Sequence, residues 1–223
     1  MTTAKQFTLL PPKAPRLPSA TALYDEKALN EFNNILRLYF NQLDNFDLSL
    51  IASSGGRFLS APYGAFQDST TQTAVINTAT PIRFDTLDFA NEVSIENLTK
   101  IRVQNAGIYN IQFSVQIQNT DNASHDLSIW LRKGNDGGSS LDIPGSCGIV
   151  GLPPRKNPGD YFHSIVGWNY FVSLQVDDYI EIYWSTDTTF VTIEQYPVST
   201  APTRPTTASA VVSMSFVSAL PVG

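Results

Sequence analysis

Apolar residues at Leu29, Phe32, Leu36, Tyr39, Leu43, Phe46 and Leu50 are separated alternately by three and four positions. That is the seam by which helices pair or trimerise. Asp25 can cap the free N–H groups at the start of such a helix, and Glu26 sits favourably against its dipole. The spacing predicts a helix to at least Asn45, with a weaker continuation over Phe46–Leu50. Ile35 and Phe40 widen the stripe, while Glu31, Asn34, Arg37, Asn41 and Asp44 take the wet side. A helix of about 20 residues spans about 30 Å, too short for a fibre shaft. Ser53-Ser54-Gly55-Gly56 then reads as a hinge.

From Tyr63 onward the period changes to two. In Ile108–Ile117 the residues Tyr109, Ile111, Phe113, Val115 and Ile117 share one face, and Asn110, Gln112, Ser114 and Gln116 share the other. Leu127, Ile129 and Leu131 repeat the alternation, as do Ile180, Ile182 and Trp184. Strands are expected over Tyr63–Gln67, Ala74–Ile76, Pro81–Phe84, Val93–Ile95, Leu98–Val103, Gly107–Gln118, Leu127–Arg132, Ile165–Val176, Tyr179–Ser185, Phe190–Ile193 and Ser209–Val217. Half-buried strands joined by Gly, Asn and Asp turns, with no interleaved helices, predict an all-β head of two antiparallel sheets packed face to face.

Before the helix, Pro11, Pro12, Pro15 and Pro18 fix φ and remove backbone donors, so residues 1–22 form an extended proline-rich arm. It is either a free tail or a segment whose Phe7, Leu9, Leu10 and Leu17 dock on a partner. Three parts result: the arm at 1–22, an amphipathic helix and linker at 23–52 for oligomerisation or anchoring, and a head at 53–223. Within the head, Lys133–His163 and Pro197–Thr207 are rich in Gly and Pro. Loops that long in a compact domain are usually functional surfaces.

Only 15% of the 223 residues are charged, so Thr, Ser, Asn and Gln must finish the surface, and the net charge is −6. No basic stripe exists to neutralise phosphates, which argues against nucleic acid as a partner. No run approaches the ~20 apolar residues of a membrane span, so membrane insertion is not expected. Cys147 is alone, which excludes an intrachain disulfide framework, and it reads as a half-buried residue near a loop.

The chain offers little for catalysis. His125 and His163 are the only histidines, without a second ligand at zinc spacing, and both read as surface or loop residues. Asp177 and Asp178 suit a turn, as do Asp85, Asp88, Asp121 and Asp126. Asn135-Asp136-Gly137-Gly138 is a fragment of a calcium loop without the rest. Distant carboxylates such as Asp142 with Asp160, or Glu181 with Glu194, are the pairs that folding would have to assemble. The expectation is no enzyme, no metal and no cofactor. Exposed aromatics are the remaining chemistry: Trp168, Tyr161 and Tyr170 could stack on sugar rings.

The order Gly64-Ala65-Phe66, Phe84, Val103–Phe113 with its Gly107-Ile108-Tyr109, the Val172–Ile182 turn segment, and Ser213–Val217 resembles the jelly-roll head of complement-globular-head and tumour-necrosis-factor-like proteins. The Gly of that family's late turn is replaced here by Asp177. The whole chain, including Tyr24–Asp44, also resembles virion structural proteins of tailed bacteriophages, particularly those infecting marine cyanobacteria. The resemblance implies a jelly-roll sandwich, a homotrimer, a virion location as a head-decoration, fibre or tail component, and other virion proteins as partners. It carries no catalytic residues. It also implies a trimer axis lined from the central and late strands, with Phe113, Tyr183 and Phe216 as candidates beside the helix seam of Leu29, Phe32, Leu36, Tyr39 and Leu43. The competing expectation is a receptor-binding fibre tip that recognises host glycan through its long loops.

Overall fold

The computed structural model describes residues 12–19, 23–51, 61–138 and 140–220. Phe7, Leu9, Leu10 and the Ser53–Gly56 hinge lie outside them. The chain divides into two units, residues 1–60 and 61–223.

In the first unit, helix α1 runs over Glu26–Ile51, six residues beyond Asn45, so the continuation over Phe46–Leu50 is helical. Asp25 is its cap: Oδ1 accepts from Lys27 N–H at 2.9 Å, and its carbonyl accepts from Leu29 N–H. Leucine stands at positions 29, 36 and 43, and an aromatic ring at 32, 39 and 46. None of Leu29, Phe32, Leu36, Tyr39, Leu43 and Phe46 is buried in the single chain; Leu29 is 46% exposed. No helix among the described residues is long and apolar enough to cross a membrane.

The second unit is a β-sandwich. Its strands are β1 (Tyr63–Asp68), β2 (Gln72–Thr73), β3 (Thr80–Pro81), β4 (Thr86–Asn91), β5 (Val93–Glu96), β6 (Lys100–Val103), β7 (Gly107–Asn119) and β8 (His125–Gly134). Then come β9 (Leu141–Asp142), β10 (Gly148–Leu152), β11 (Phe162–Leu174), β12 (Tyr179–Thr186), β13 (Val191–Ile193), β14 (Ser199–Thr200), β15 (Thr203–Arg204) and β16 (Ala210–Ser218). One sheet is ordered β4-β1-β16-β7-β11, with β13 and β2 continuing beside the end of β7. The other is ordered β5-β6-β12-β8-β10, with β3 on β12 and β9 on β8. All pairings between these strands are antiparallel.

Between the sheets lies one apolar core. From the first sheet come Tyr109, Ile111, Phe113, Val115, Ile117, Val212 and Met214; from the second, Ile101, Leu127, Ile129, Leu131, Ile180, Ile182 and Trp184. The period-two reading of β7, β8 and β12 is therefore the core-facing alternation seen in the structure. Burying each such side chain contributes about 1.5–3 kcal/mol against leaving it in water.

Several expectations are corrected. Lys133–His163 is not one irregular loop, because β10 pairs with β8 across Gly148–Leu152 and β11 already begins at Phe162. Pro197–Thr207 contains the small hairpin β14–β15. A strand at Thr86–Asn91 was hidden by Asp85, Asp88 and Asn91, which resemble turn residues. Leu98 belongs not to a strand but to the β5–β6 turn, where Asn97 (φ 51°) and Leu98 (φ 65°) are both left-handed and Thr99 N–H donates to the Glu96 carbonyl. Cys147 is exposed rather than half-buried.

Candidate subunit interface

Strands β16, β7 and β11 are consecutive neighbours and contain no Asp, Glu, Lys or Arg. Their outward side chains form a continuous face. β7 contributes Ile108, Asn110, Gln112, Ser114, Gln116 and Gln118. β11 adds His163, Ile165, Gly167, Asn169, Phe171 and Ser173, and β16 adds Val211, Ser213, Ser215 and Val217. Gln112 is at its centre, in register with Asn169 on one side and Ser213 on the other. Ile165 is 67% and Phe171 57% exposed. A face of small, amide and apolar groups is what the middle of a subunit interface needs, since depletion of charge is its main compositional mark.

The outer face of the opposite sheet is built differently. Lys100 Nζ lies 4.2 Å from the centroid of the Tyr179 ring, and Arg132 lies 4.0 Å above Tyr183. Tyr183 stacks with Trp130 at 5.9 Å. Arg102, nearly buried, is paired with Glu96 at 2.8 Å and Asp136 at 2.6 Å, and these partners raise its pKa. Arg102 and Arg132 there are already partnered within the chain.

Asp142 accepts from Arg132 Nε at 2.7 Å and from Trp130 Nε1 at 2.8 Å. Arg132, as the main cause, holds this carboxyl below its ordinary range. A depressed native value means stabilisation that is present above the unfolded-state value and lost as pH falls through the native one. The Asp142→Asn variant should therefore lose less stability than the parent between about pH 5 and pH 3 in urea titrations. The difference should be a fraction of a kcal/mol, because the pair is half exposed.

His125 bridges two turns, with Nε2 2.9 Å from Asp121 Oδ2 and Nδ1 3.0 Å from Asp187 Oδ1. His125 lowers the Asp121 carboxyl. With a carboxylate at each ring nitrogen, His125 ties the β7–β8 turn to the residue after β12. His163 sits within β11, not in a loop, and bonds Tyr196 OH at 2.7 Å.

The predicted site residues separate. Phe113 packs edge-on against Trp168 inside the sandwich and is 3% exposed, so its side chain is already covered by its own chain. Phe216 packs against Tyr109 on the same inner side. Tyr183 belongs to the other sheet's outer face. These three do not share a surface; the outward residues of β7, β11 and β16 do. Trp168 and Tyr170 point inward from β11 and pack against the core, leaving Tyr161 as the exposed member of that aromatic set. The glycan reading thereby loses its principal side chain.

Asp142 is committed to Arg132, Glu181 to Thr99, and Glu194 to Thr71 and Thr192. Among the described residues, no three His, Cys, Asp or Glu gather as a metal site. The signal that marks the candidate face is the absence of charge over three whole strands, an observation about composition per strand rather than about any single residue. No protein-family model matches the chain, and no curated protein matches it.

Proposed function

We propose that this is a non-enzymatic assembly protein, a homotrimer whose head associates through the uncharged face of β7, β11 and β16 and whose α1 helices join through their seam. The charge-free face carries the reading. In a chain of net charge −6, copies repel one another wherever acidic surface meets acidic surface, and this is the broad face where they need not. Its amides both donate and accept, so different parts of this face on neighbouring copies can satisfy one another around a three-fold axis.

The helix supports more than two strands. Leucine at 29, 36 and 43 lacks the β-branching that favours parallel dimers, and Ile35 with Phe40 broadens the stripe. The head supports a jelly roll. Its eight main strands, β1, β6, β7, β8, β10, β11, β12 and β16, make the four-stranded sets β1-β16-β7-β11 and β6-β12-β8-β10. Every step between them in chain order changes sheet except β8 to β10, as double Greek-key winding requires.

With the resemblance of Tyr24–Asp44 and the head motifs to tailed-bacteriophage proteins, the trimer is read as a virion structural component, held to its particle by arm and helix. Light scattering of the full chain should give three times the 24.5 kDa chain mass. A single-chain mass at micromolar concentration would refute the trimer. Detection in purified particles, at a copy number divisible by three, tests the location.

A further inference from the structure

Histidine is the side chain whose charge ordinarily changes between pH 5 and 8, and β7, β11 and β16 contain one, His163. It stands on the outward side of β11, opposite Gln118, and is exposed in the single chain. The tyrosines of these strands, Tyr109 and Tyr170, point inward and pack in the core. Protonation of His163 is therefore the event that puts a charge on the outward face of these three strands near neutral pH.

The ring is also held in a defined way. Gln118 Nε2 donates to the Tyr196 hydroxyl oxygen at 3.4 Å, and that oxygen lies 2.7 Å from His163 Nδ1. The His163 and Tyr196 rings meet edge-on with centroids 5.5 Å apart. A neutral imidazole can accept the Tyr196 hydroxyl proton at Nδ1, whereas an imidazolium carries a proton on both nitrogens and cannot. Protonation thus charges the ring and makes Tyr196 turn its own proton elsewhere.

Charged groups around His163 are few. β11 and the neighbouring β7 carry none. On the far side of β7, Glu194 N–H donates to the Gln116 carbonyl, and the Glu194 carboxylate accepts from Thr71 and Thr192. Arg204 lies 5.8 Å from the centre of the Tyr196 ring and has the same sign as an imidazolium. Asp88 borders the same sheet from β4, beyond β16 and β1. The histidine that meets carboxylates within the chain is the other one, His125, on β8 of the opposite sheet.

We propose that His163 is an acid switch on assembly: its neutral ring completes the uncharged face, and its protonation opens the trimer. The inference rests on the reading of that face as the subunit contact. An unpaired charge taken out of water is costly, and each copy would bring one. The sign runs against the rest of the molecule. With 20 acidic and 14 basic residues, acidification lowers the net negative charge and by itself eases association.

Sedimentation velocity of the full chain at pH 7.5 and pH 5.5 reads the switch. The apparent association constant should fall at least about tenfold at the lower pH. His163→Gln keeps an acceptor for Tyr196 without a titrating proton and should remain trimeric at both values. His125→Gln should behave like the parent. In a magnetic-resonance titration of the ring protons, the midpoint of trimer loss should coincide with that of His163 and not with that of His125. Equal association at both pH values would overturn the proposal. So would a loss in acid that His163→Gln shares, or tighter association in acid, as an imidazolium meeting a neighbour's carboxylate would give. Trimer mass at both values removes only the switch, whereas single-chain mass at pH 7.5 removes the trimer as well.

Discussion

Gln112→Asp is expected to dissociate the proposed trimer while leaving the head folded. Gln112 is exposed in the single chain and lies midway between Asn169 and Ser213, at the centre of three strands without charge. In an assembled face its replacement would place one carboxylate per copy out of water and beside its own symmetry mates. An uncompensated buried charge costs several kcal/mol, so association should weaken at least about 100-fold. The urea stability of the dissociated chain should change by no more than about 0.5 kcal/mol, as for an ordinary surface substitution. Gln112→Asn keeps the amide and should keep the trimer. Sedimentation velocity reads the outcome; an unchanged trimer would show that this face does not join the copies.

The largest loss of fold stability is expected from a single methyl group at Gly167. A Cβ there would lie 2.2 Å from the Phe113 carbonyl oxygen and 2.9 Å from the Ser114 Cα. Both are backbone atoms of β7, held in thirteen residues of unbroken register with β11. No rotamer relieves such a contact, so β11 must move away and carry Trp168 from its place on Phe113. Gly167→Ala should cost about 3 kcal/mol or more in a urea titration. At Gly137 an added Cβ meets nothing within 4 Å, and the same substitution there should stay within about 0.5 kcal/mol. Equal effects at the two glycines would contradict the close approach of β11 to β7.

Gly167 also illustrates where sequence reading stops. Beside Trp168 and Asn169 it looks like the rim of a loop, which is why Trp168 seemed exposed. The alternation through Phe162, Ser164, Val166, Trp168, Tyr170, Val172 and Leu174 does mark the inward side of β11. It is masked because Ile165 and Phe171, on the outward side, are just as apolar. In β7 the outward positions beyond Ile108 are amides and serine, so the face could be read directly. The helix was legible for the same reason, since its seam contrasts with Asn, Asp and Arg.

β4 and β10 were not legible. A strand with Asp88 and Asn91, or one with Gly148 and Gly151, lacks the local preference and takes its conformation from the neighbour it pairs with. The same limit applied to the candidate interface. Alternation places Phe113 and Phe216 on one side of their strands, but only the second sheet, covering that side, determines that they are spent on the core.

In the head, Phe216 N–H donates to the Pro62 carbonyl at 2.9 Å, so the polypeptide enters and leaves this unit at one place, beside β1 and β16. The β-sandwich is thereby a cassette with a single point of attachment. It can be spliced onto another stem, or carry a passenger after its last strand, without threading new chain through the sheets. Passengers at both ends would compete for the same space, whereas the turns joining β7 to β8 and β12 to β13 would remain free to vary without disturbing that junction.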